Sequence, residues 1–142
     1  MEFYASRTGR FILKLTQSFY FEAAHTLKKR DVDCHTQIKS ATIHGHTYHA
    51  SVSIEGEPDE NGMIRDLNAV WLMIDFIKSH LDHKFLDEVE GLGKPTLENL
   101  CLFISKKARL KGLCEVTVER KASGDKVTYT IKKNIPIKAL ND

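Results

Sequence analysis

Residues 43 to 55, "IHGHTYHASVSIE", alternate between polar and apolar side chains, which is the pattern of a β-strand with one buried face. This segment also contains three of the seven histidines in the chain. It therefore predicts both a central strand of the fold and a candidate functional site at the start of that strand.

Two of these histidines, His44 and His46, lie on the same face of the predicted strand, with Cα atoms about 6.6 Å apart. Because a zinc–nitrogen bond is only about 2.0–2.1 Å long, two imidazoles at this spacing can converge on one ion. His49 has the opposite parity and is left out of the site. His25, at the end of the apolar run "SFYFEAAH", is the natural third ligand if a neighbouring antiparallel strand brings it alongside. The alternative is a set of polar side chains on a solvated strand face.

The rest of the chain predicts three more strands and two helices. The strands cover residues 10–24, 43–55, 114–122 and 126–134, and the helices cover residues 66–81 and the stretch from the N-cap Thr96 to Gly112. The first helix has a predicted core face at helical spacing, formed by Leu67, Val70, Trp71, Ile74, Ile77 and Leu81. This order predicts one α+β domain over residues 1–142, with two helices on one face of a four-stranded antiparallel sheet. Its two open edges predict an oligomer.

Composition narrows the classes of function. The 142 residues carry a net charge of only +2, and their acidic and basic side chains are interspersed. The long basic run that would predict nucleic-acid binding is absent from the sequence. No apolar run is long enough to span a bilayer, and the first residues lack the pattern of a secretory signal. The expected location is cytoplasmic.

The three cysteines are odd in number and have no CxxC spacing, which argues against a disulfide framework and against a cysteine-rich zinc site. Cys101 and Cys114 lie in apolar surroundings and are predicted to be buried thiols. Cys34 differs, because the sequence around it, "DVDCHTQ", is polar and places His35 beside it.

Six separated motifs, taken together, resemble the 6-pyruvoyl-tetrahydropterin synthase and 6-carboxytetrahydropterin synthase family. In family order they are "FEAAH" at 21–25, "HGHTY" at 44–48, "GMIRDL" at 62–67, "LDHKFLDE" at 81–88, "KPTLENL" at 94–100 and "VERKASG" at 118–124. The resemblance implies the tunnelling fold, in which ββααββ subunits join sheet edge to sheet edge into a barrel. The barrel is commonly a homohexamer built from two trimers.

The resemblance also implies the chemistry of the site. His25, His44 and His46 would bind Zn²⁺, and the substrate would be a small pterin, 7,8-dihydroneopterin triphosphate. Asp82 and His83 match the Asp-His pair that transfers protons in the family. Without the resemblance, the simpler interpretation of this pair is a helix end that favours cations.

Glu119 matches the family's pterin anchor, a carboxylate that accepts hydrogen bonds from the pterin amino and ring N–H groups. Its strand parity agrees, because Cys114, Val116 and Val118 share the other, apolar face. Thr96 and Glu98 match a family motif and are interpreted as structural support. The basic run 28–30 would suit a triphosphate, but it also fits a solvated loop.

The chain departs from the family at one position. Family members usually have a cysteine base four residues before the first histidine of HxH, and here that position is Ser40. Either the long loop folds back so that Cys34 serves as the base, or Cys34 is an ordinary loop residue and the reaction is lost or changed. A family branch with glutamate as base finds no match, because no Glu lies between His25 and His44.

The leading hypothesis is a zinc-dependent 6-carboxytetrahydropterin synthase-like lyase that acts in queuosine-type 7-deazaguanine biosynthesis. One alternative is a pterin- or purine-binding protein without efficient chemistry, and another is a 6-pyruvoyl-tetrahydropterin synthase-type activity. A zinc hydrolase that uses Asp82 or His83 as general base is a further alternative.

Overall fold

The computed structural model describes residues 11–27 and 41–132. In chain order the elements are strands β1 (Leu13–His25) and β2 (His44–Gly56), helix α1 (Leu67–Leu81), strand β3 (Lys84–Phe85), a 3₁₀ helix (Leu86–Glu88), helix α2 (Leu97–Lys107), and strands β4 (Leu113–Arg120) and β5 (Asp125–Thr130). Within these residues the strands form one sheet in the order β3-β1-β2-β4-β5. The predicted α+β class and order of the main elements are confirmed.

The sheet has five strands, so the prediction of four was wrong. The extra strand, β3, consists of only two residues and pairs in parallel with Ala23 and Ala24 of β1. Two residues are too few to show a period of two in the sequence, and only the position of β1 gives them a partner. This short strand fixes the residues that follow α1 against the end of β1.

The central pair of the sheet, β1 and β2, determines where the histidines meet. The two strands are antiparallel in an unbroken register from Leu13 opposite Gly56 to His25 opposite His44. His46 of β2 consequently lies opposite Ala23 of β1, which is two residues before His25. Three imidazoles are thus brought to one end of the sheet by strand pairing alone.

The hydrophobic core lies between one face of this sheet and the two helices. The rings of Phe21 and Tyr48 stack with centroids 5.0 Å apart, and Val116 and Val118 of β4 are fully buried beside them. From the helices the core receives Val70, Ile74, Ile77, Leu81, Leu100, Phe103 and Ile104. Each such side chain contributes roughly 1.5–3 kcal/mol by leaving water, which makes this face the stable base of the site.

Helix α1 begins as predicted and buries a narrower face than predicted. The Asp66 side chain caps it by accepting a hydrogen bond from the Asn68 N–H. Leu67 and Trp71 were predicted in the core but are 41% and 49% exposed. They lie on the flank of the buried stripe, and Trp71 donates its indole N–H to Gln17 Oε1 at 3.2 Å.

Helix α2 has the predicted N-cap, because Thr96 Oγ1 accepts from the Asn99 N–H. The helix ends at Lys107 rather than at Gly112. Gly112 instead contacts β2, where its carbonyl accepts from the Glu55 N–H at 2.8 Å. Its φ is +87°, and a Cβ at this position would collide with the Glu55 carbonyl.

The predicted hairpin between β4 and β5 is confirmed, with Gly124 at φ +79° in the turn. Cys101 is buried, as predicted, whereas Cys114 is only half-buried. In the part of the chain that the structure describes, no helix combines the length and apolar character needed to cross a membrane.

Candidate metal centre and active site

Three imidazoles converge where β1 ends and β2 begins. His25 Nε2 lies 2.9 Å from His44 Nε2 and 3.0 Å from His46 Nε2. The three candidate ligand nitrogens all lie within 4.8 Å of one another. His25 is buried and the other two are half-buried, so the group is open on one side. Three protein ligands with an open side is the usual arrangement of a catalytic zinc site.

The hydrogen bonds behind two rings determine which nitrogen of each carries the proton. His25 Nδ1 lies 3.0 Å from the Pro95 carbonyl oxygen, and His44 Nδ1 lies 2.7 Å from the Thr42 carbonyl oxygen. A carbonyl oxygen only accepts, so Nδ1 is the donor in both rings. Each neutral ring therefore directs an unprotonated Nε2 into the cluster, as a metal ligand must.

This donor set fits a divalent metal. The Nε2 atoms of His25 and His44 are both acceptors, yet they face each other at hydrogen-bond distance with no proton to share. A divalent cation held by both nitrogens would resolve this repulsion. Nitrogen-only ligands favour zinc or another late transition metal over magnesium or calcium.

Burial and neighbouring groups keep the rings of His25 and His46 neutral. Burial is the main cause that lowers the pKa of His25, and it also lowers the pKa of His46, to about 4, with the neighbouring His25 as the next cause. Both rings therefore stay unprotonated at neutral pH and available as ligands.

A carboxylate that sequence reasoning missed holds the end of β1 in place. Asp87, in the 3₁₀ helix, accepts from the Thr26 N–H at 2.8 Å and from the Thr26 hydroxyl. Thr26 directly follows His25, so these bonds fix the backbone that carries the buried ligand. No short-range pattern reveals this pair, because 61 residues separate its members.

Replacing Asp87 with alanine is expected to weaken zinc binding about 10- to 100-fold, the usual effect of losing a group that orients a ligand. The change leaves the N–H and the hydroxyl of the buried Thr26 without their acceptor. Competition with a chromogenic chelator measures the affinity. Glu88→Ala removes an adjacent exposed carboxylate and serves as the matched control; equal zinc affinities in the two variants would contradict the role of Asp87.

Asp82 and His83 form a positioned pair beside β1. Asp82 Oδ1 accepts from the Glu22 N–H at 2.9 Å, and Asp82 Oδ2 lies 3.3 Å from His83 Nδ1. The hydrogen bond from Glu22 is the main cause that lowers the pKa of Asp82, so its carboxylate stays ionised. An ionised carboxylate at this position favours the tautomer with the proton on Nδ1, which leaves His83 Nε2 free to exchange a proton.

The backbone of His83 adopts a conformation that is rare for a residue with a side chain. Its φ is +57°, and among the described residues it is the only non-glycine with positive φ. The Glu22 carbonyl accepts from its N–H at 2.6 Å and holds it there, while its side chain is 79% exposed. His83 directly follows the C-cap of α1, where left-handed backbone is common, and the angle by itself motivates only the hypothesis of a functional role.

His83 shares a cleft of about 550 Å³ with one of the three clustered histidines, His46. The cleft is also lined by Glu22, Thr47 and Lys84. Glu22 and Thr47 alternate with the buried Phe21 and Tyr48, so the cleft opens mainly on the sheet face opposite the helices. One chain therefore places His83 close to His46, although the cleft opens on the sheet face opposite the one that the clustered imidazoles share with Tyr48.

Glu119 lies apart from both groups. It is opposite His49 on β2 and Lys126 on β5, and it lines a separate pocket of about 360 Å³ on the sheet face away from the helices. The clustered imidazoles share the face of Tyr48 instead. A single chain does not bring Glu119 to the histidine cluster.

Several sequence predictions fall on residues 28–40, outside the described residues. They concern the basic run 28–30, Cys34 and Ser40. Both described cysteines are poor bases, because burial raises the pKa of the Cys101 thiol to about 11 and also raises the pKa of Cys114.

Arg120 is a second residue that sequence reasoning missed. Its Nη1 lies 3.4 Å from His46 Nε2, on the histidine side of β4. Strand parity could have found it, since Arg120 continues the face of Val116 and Val118 toward the end of the sheet where the histidines lie.

Solved structures show the class of fold. The chain is similar to Caenorhabditis elegans 6-pyruvoyl tetrahydropterin synthase, with a TM-score of 0.74 and 23% identity over 88% of this chain and 100% of that chain. It is also similar to a Plasmodium vivax 6-pyruvoyltetrahydropterin synthase described as a catalytic residue mutant, with a TM-score of 0.64 and 18% identity over 85% of this chain and 99% of that one. The fold is that of the 6-pyruvoyl tetrahydropterin synthases.

Sequence comparison gives the family. The family model for 6-pyruvoyl tetrahydropterin synthase matches residues 14–131. A Synechocystis protein named 6-carboxy-5,6,7,8-tetrahydropterin synthase is 32% identical over 68% of this chain and 75% of its own length. A Pyrococcus furiosus protein named dihydroneopterin monophosphate aldolase is 32% identical over 63% of this chain and 68% of its own length. The chain belongs to the 6-pyruvoyl tetrahydropterin synthase family, a family of enzymes, and the predicted family membership is confirmed.

Proposed function

We propose that this protein is a zinc-dependent 6-carboxytetrahydropterin synthase-like lyase that acts on 7,8-dihydroneopterin triphosphate, in the cytoplasmic synthesis of queuosine-type 7-deazaguanines. The observation that carries the proposal is the convergence of His25, His44 and His46, with Nδ1 of two rings bound to backbone carbonyls. The name of the Synechocystis relative supports the choice of reaction.

The three histidines would hold Zn²⁺ through Nε2. When bound, the ion supplies Lewis acidity toward the hydroxyl oxygens of the substrate side chain and so favours proton loss from the adjacent carbon. The open side of the cluster leaves room for these oxygens.

Asp82 and His83 would move the proton. Asp82 accepts the Nδ1 proton of His83, so His83 Nε2 can take a proton from a substrate carbon or hydroxyl and later return it. The high exposure of the imidazole in the free chain gives a substrate access to it.

Glu119 would anchor the pterin by accepting hydrogen bonds from its amino and ring N–H groups. Because Glu119 lies on the other sheet face from the histidine cluster, we propose that a complete site combines residues from two or more copies of the chain. This proposal agrees with the homo-oligomer, a hexamer of two trimers, that the family resemblance implies. Asp82 and His83 of one chain would then act on the substrate at one site, and Glu119 of the same chain would anchor the substrate at a neighbouring site.

The base for the first proton transfer is either Cys34 or His83. Cys34 and Ser40 lie outside the described residues, and the two described cysteines have raised pKa values. His83 is the described side chain with the geometry of a base. A Cys34→Ser variant therefore separates a thiolate base from an imidazole base.

Incubating the zinc-loaded protein with 7,8-dihydroneopterin triphosphate is expected to consume it and to form 6-carboxytetrahydropterin, identified by mass spectrometry. Glu119→Gln, which removes the anchoring charge, is expected to lower pterin affinity by about 10- to 100-fold, as for a hydrogen bond to a charged group. Intact substrate after long incubation with zinc-loaded protein would refute the enzymatic proposal.

The same experiment distinguishes a second candidate, aldol cleavage of the substrate side chain, which the name of the Pyrococcus furiosus relative favours. Cleavage releases 6-hydroxymethyl-7,8-dihydropterin, whose mass differs from that of the carboxylated product. Dihydroneopterin monophosphate is run beside the triphosphate, since that relative is named for the monophosphate. Tight pterin binding without any product would instead support a binding protein, and Ser40→Cys would test whether the family cysteine restores turnover.

A further inference from the structure

Arg120 reaches the histidine cluster from the last position of β4. Its Nη2 pairs with Asp125 Oδ2 at 2.7 Å, and its Nη1 lies 3.4 Å from His46 Nε2. Asp125 is itself held by the Ser123 hydroxyl at 2.6 Å, so the guanidinium is tethered on one side. The other side faces the cluster.

The donors on this other side lack a suitable acceptor. Arg120 Nε is buried and has no hydrogen-bond partner among the described residues. His46 Nε2 accepts from Nη1 only while it is not used for metal binding, because its single lone pair serves one partner. Once a metal is bound, Arg120 keeps one protein acceptor, Asp125, within the described part of the chain.

The charge around the cluster is also unbalanced. The three imidazoles are neutral ligands, so they offset none of the charge of a divalent metal. Arg120 adds a positive charge beside one ligand, and the Asp125 carboxylate offsets that charge, so the uncompensated charge is that of the metal. A cationic metal and an arginine this close favour an anion on the open side of the site.

A cavity of about 600 Å³ beside His46 provides space for that anion. Its wall includes Arg120, Lys121, Ser123 and His49, and no carboxylate of the described residues lines it. The guanidinium of Arg120 and the ammonium of Lys121 suit a dianionic phosphate better than a singly charged carboxylate. Of the three clustered histidines, His46 alone lines the cavity, which extends from there to the β4–β5 hairpin.

We propose that Arg120 determines substrate specificity by binding a phosphate group of the pterin side chain next to the metal ligands, in the cavity that Lys121 and Ser123 complete. The inference rests on the proposed pterin function and adds a selection rule to it. The site prefers side-chain phosphate esters of dihydroneopterin to dihydroneopterin itself.

The test measures binding to zinc-loaded protein by titration calorimetry, with 7,8-dihydroneopterin, its monophosphate, its triphosphate and inorganic tripolyphosphate as ligands. Wild-type protein is expected to bind the phosphate esters at least about tenfold more tightly than dihydroneopterin, with affinity that falls as salt rises. Arg120→Gln is expected to weaken the phosphorylated ligands about 10- to 100-fold and to leave dihydroneopterin unchanged. Arg120→Lys, which keeps the charge and loses the planar fork, is expected to restore part of the affinity.

Arg109→Gln removes the same charge from an exposed position after α2 and is the matched control. Zinc content is measured for every variant. Equal weakening of all pterins in Arg120→Gln, no weakening at all, or loss of zinc would overturn the proposal. If wild-type protein binds no pterin, the proposed function fails. Tripolyphosphate still tests the phosphate site separately: binding that Arg120→Gln weakens would support the site, and binding that is unchanged would contradict it.

Discussion

His46→Ala protein is expected to keep less than about a tenth of the zinc of the wild-type chain, which should hold about one ion. Two imidazoles remain after the change, and they cannot supply the three protein ligands that zinc in a catalytic site usually has. His25→Ala and His44→Ala should give the same result, since the three Nε2 atoms form one cluster. Turnover should fall with the zinc content.

Metal analysis by mass spectrometry after dialysis against metal-free buffer measures this effect. His49→Ala is the matched control, because His49 lies three positions further along β2 and faces the other side of the sheet, opposite Glu119. It should retain zinc. If His46→Ala protein still contains one zinc ion per chain, the proposed ligand set is wrong.

His83→Ala is expected to lower kcat by about 10²- to 10⁴-fold, the usual contribution of a positioned acid–base group. Zinc content and pterin affinity should change little, because His83 belongs neither to the histidine cluster nor to the pocket of Glu119. Asp82→Asn should lower kcat less, since it keeps the imidazole but removes the charge that orients it.

Single-turnover kinetics with zinc-loaded protein separate the chemical step from binding. His80→Ala, which changes a half-buried histidine in the last turn of α1, is the matched control and should leave kcat unchanged. Turnover of His83→Ala within about twofold of wild type would exclude the imidazole as the proton carrier and would leave Cys34 as the candidate.

The sequence predicted well what depends on short periods. The alternation of residues 43–55 placed β2 almost to its ends and put His44 and His46 on one face. Thr96 and Asp66 were recognised as helix starts because an N-cap is a local hydrogen bond between close neighbours. The meeting of His25 with the other two follows from antiparallel pairing of adjacent strands.

What the sequence could not show depends on contacts between distant residues. β3 exists only because β1 lies beside it, and the capture of Thr26 by Asp87 joins parts of the chain 61 residues apart. Trp71 fits the apolar period of α1, but the helix turns its buried stripe toward Val70 and Ile74 instead. Glu119 and the clustered histidines lie on opposite faces of the sheet, and this placement depends on how β1, β2 and β4 pair.

The left-handed backbone of His83 also has a consequence for the engineering of this protein. Glycine adopts that conformation without steric cost, so a chain chosen only for thermal resistance would carry glycine there and gain about 1 kcal/mol of folding stability. Such a chain would lose the proposed proton carrier of the cleft shared with His46. Libraries screened by melting temperature would therefore drift toward well-folded, inactive proteins at this position, and selection for turnover has to be kept alongside.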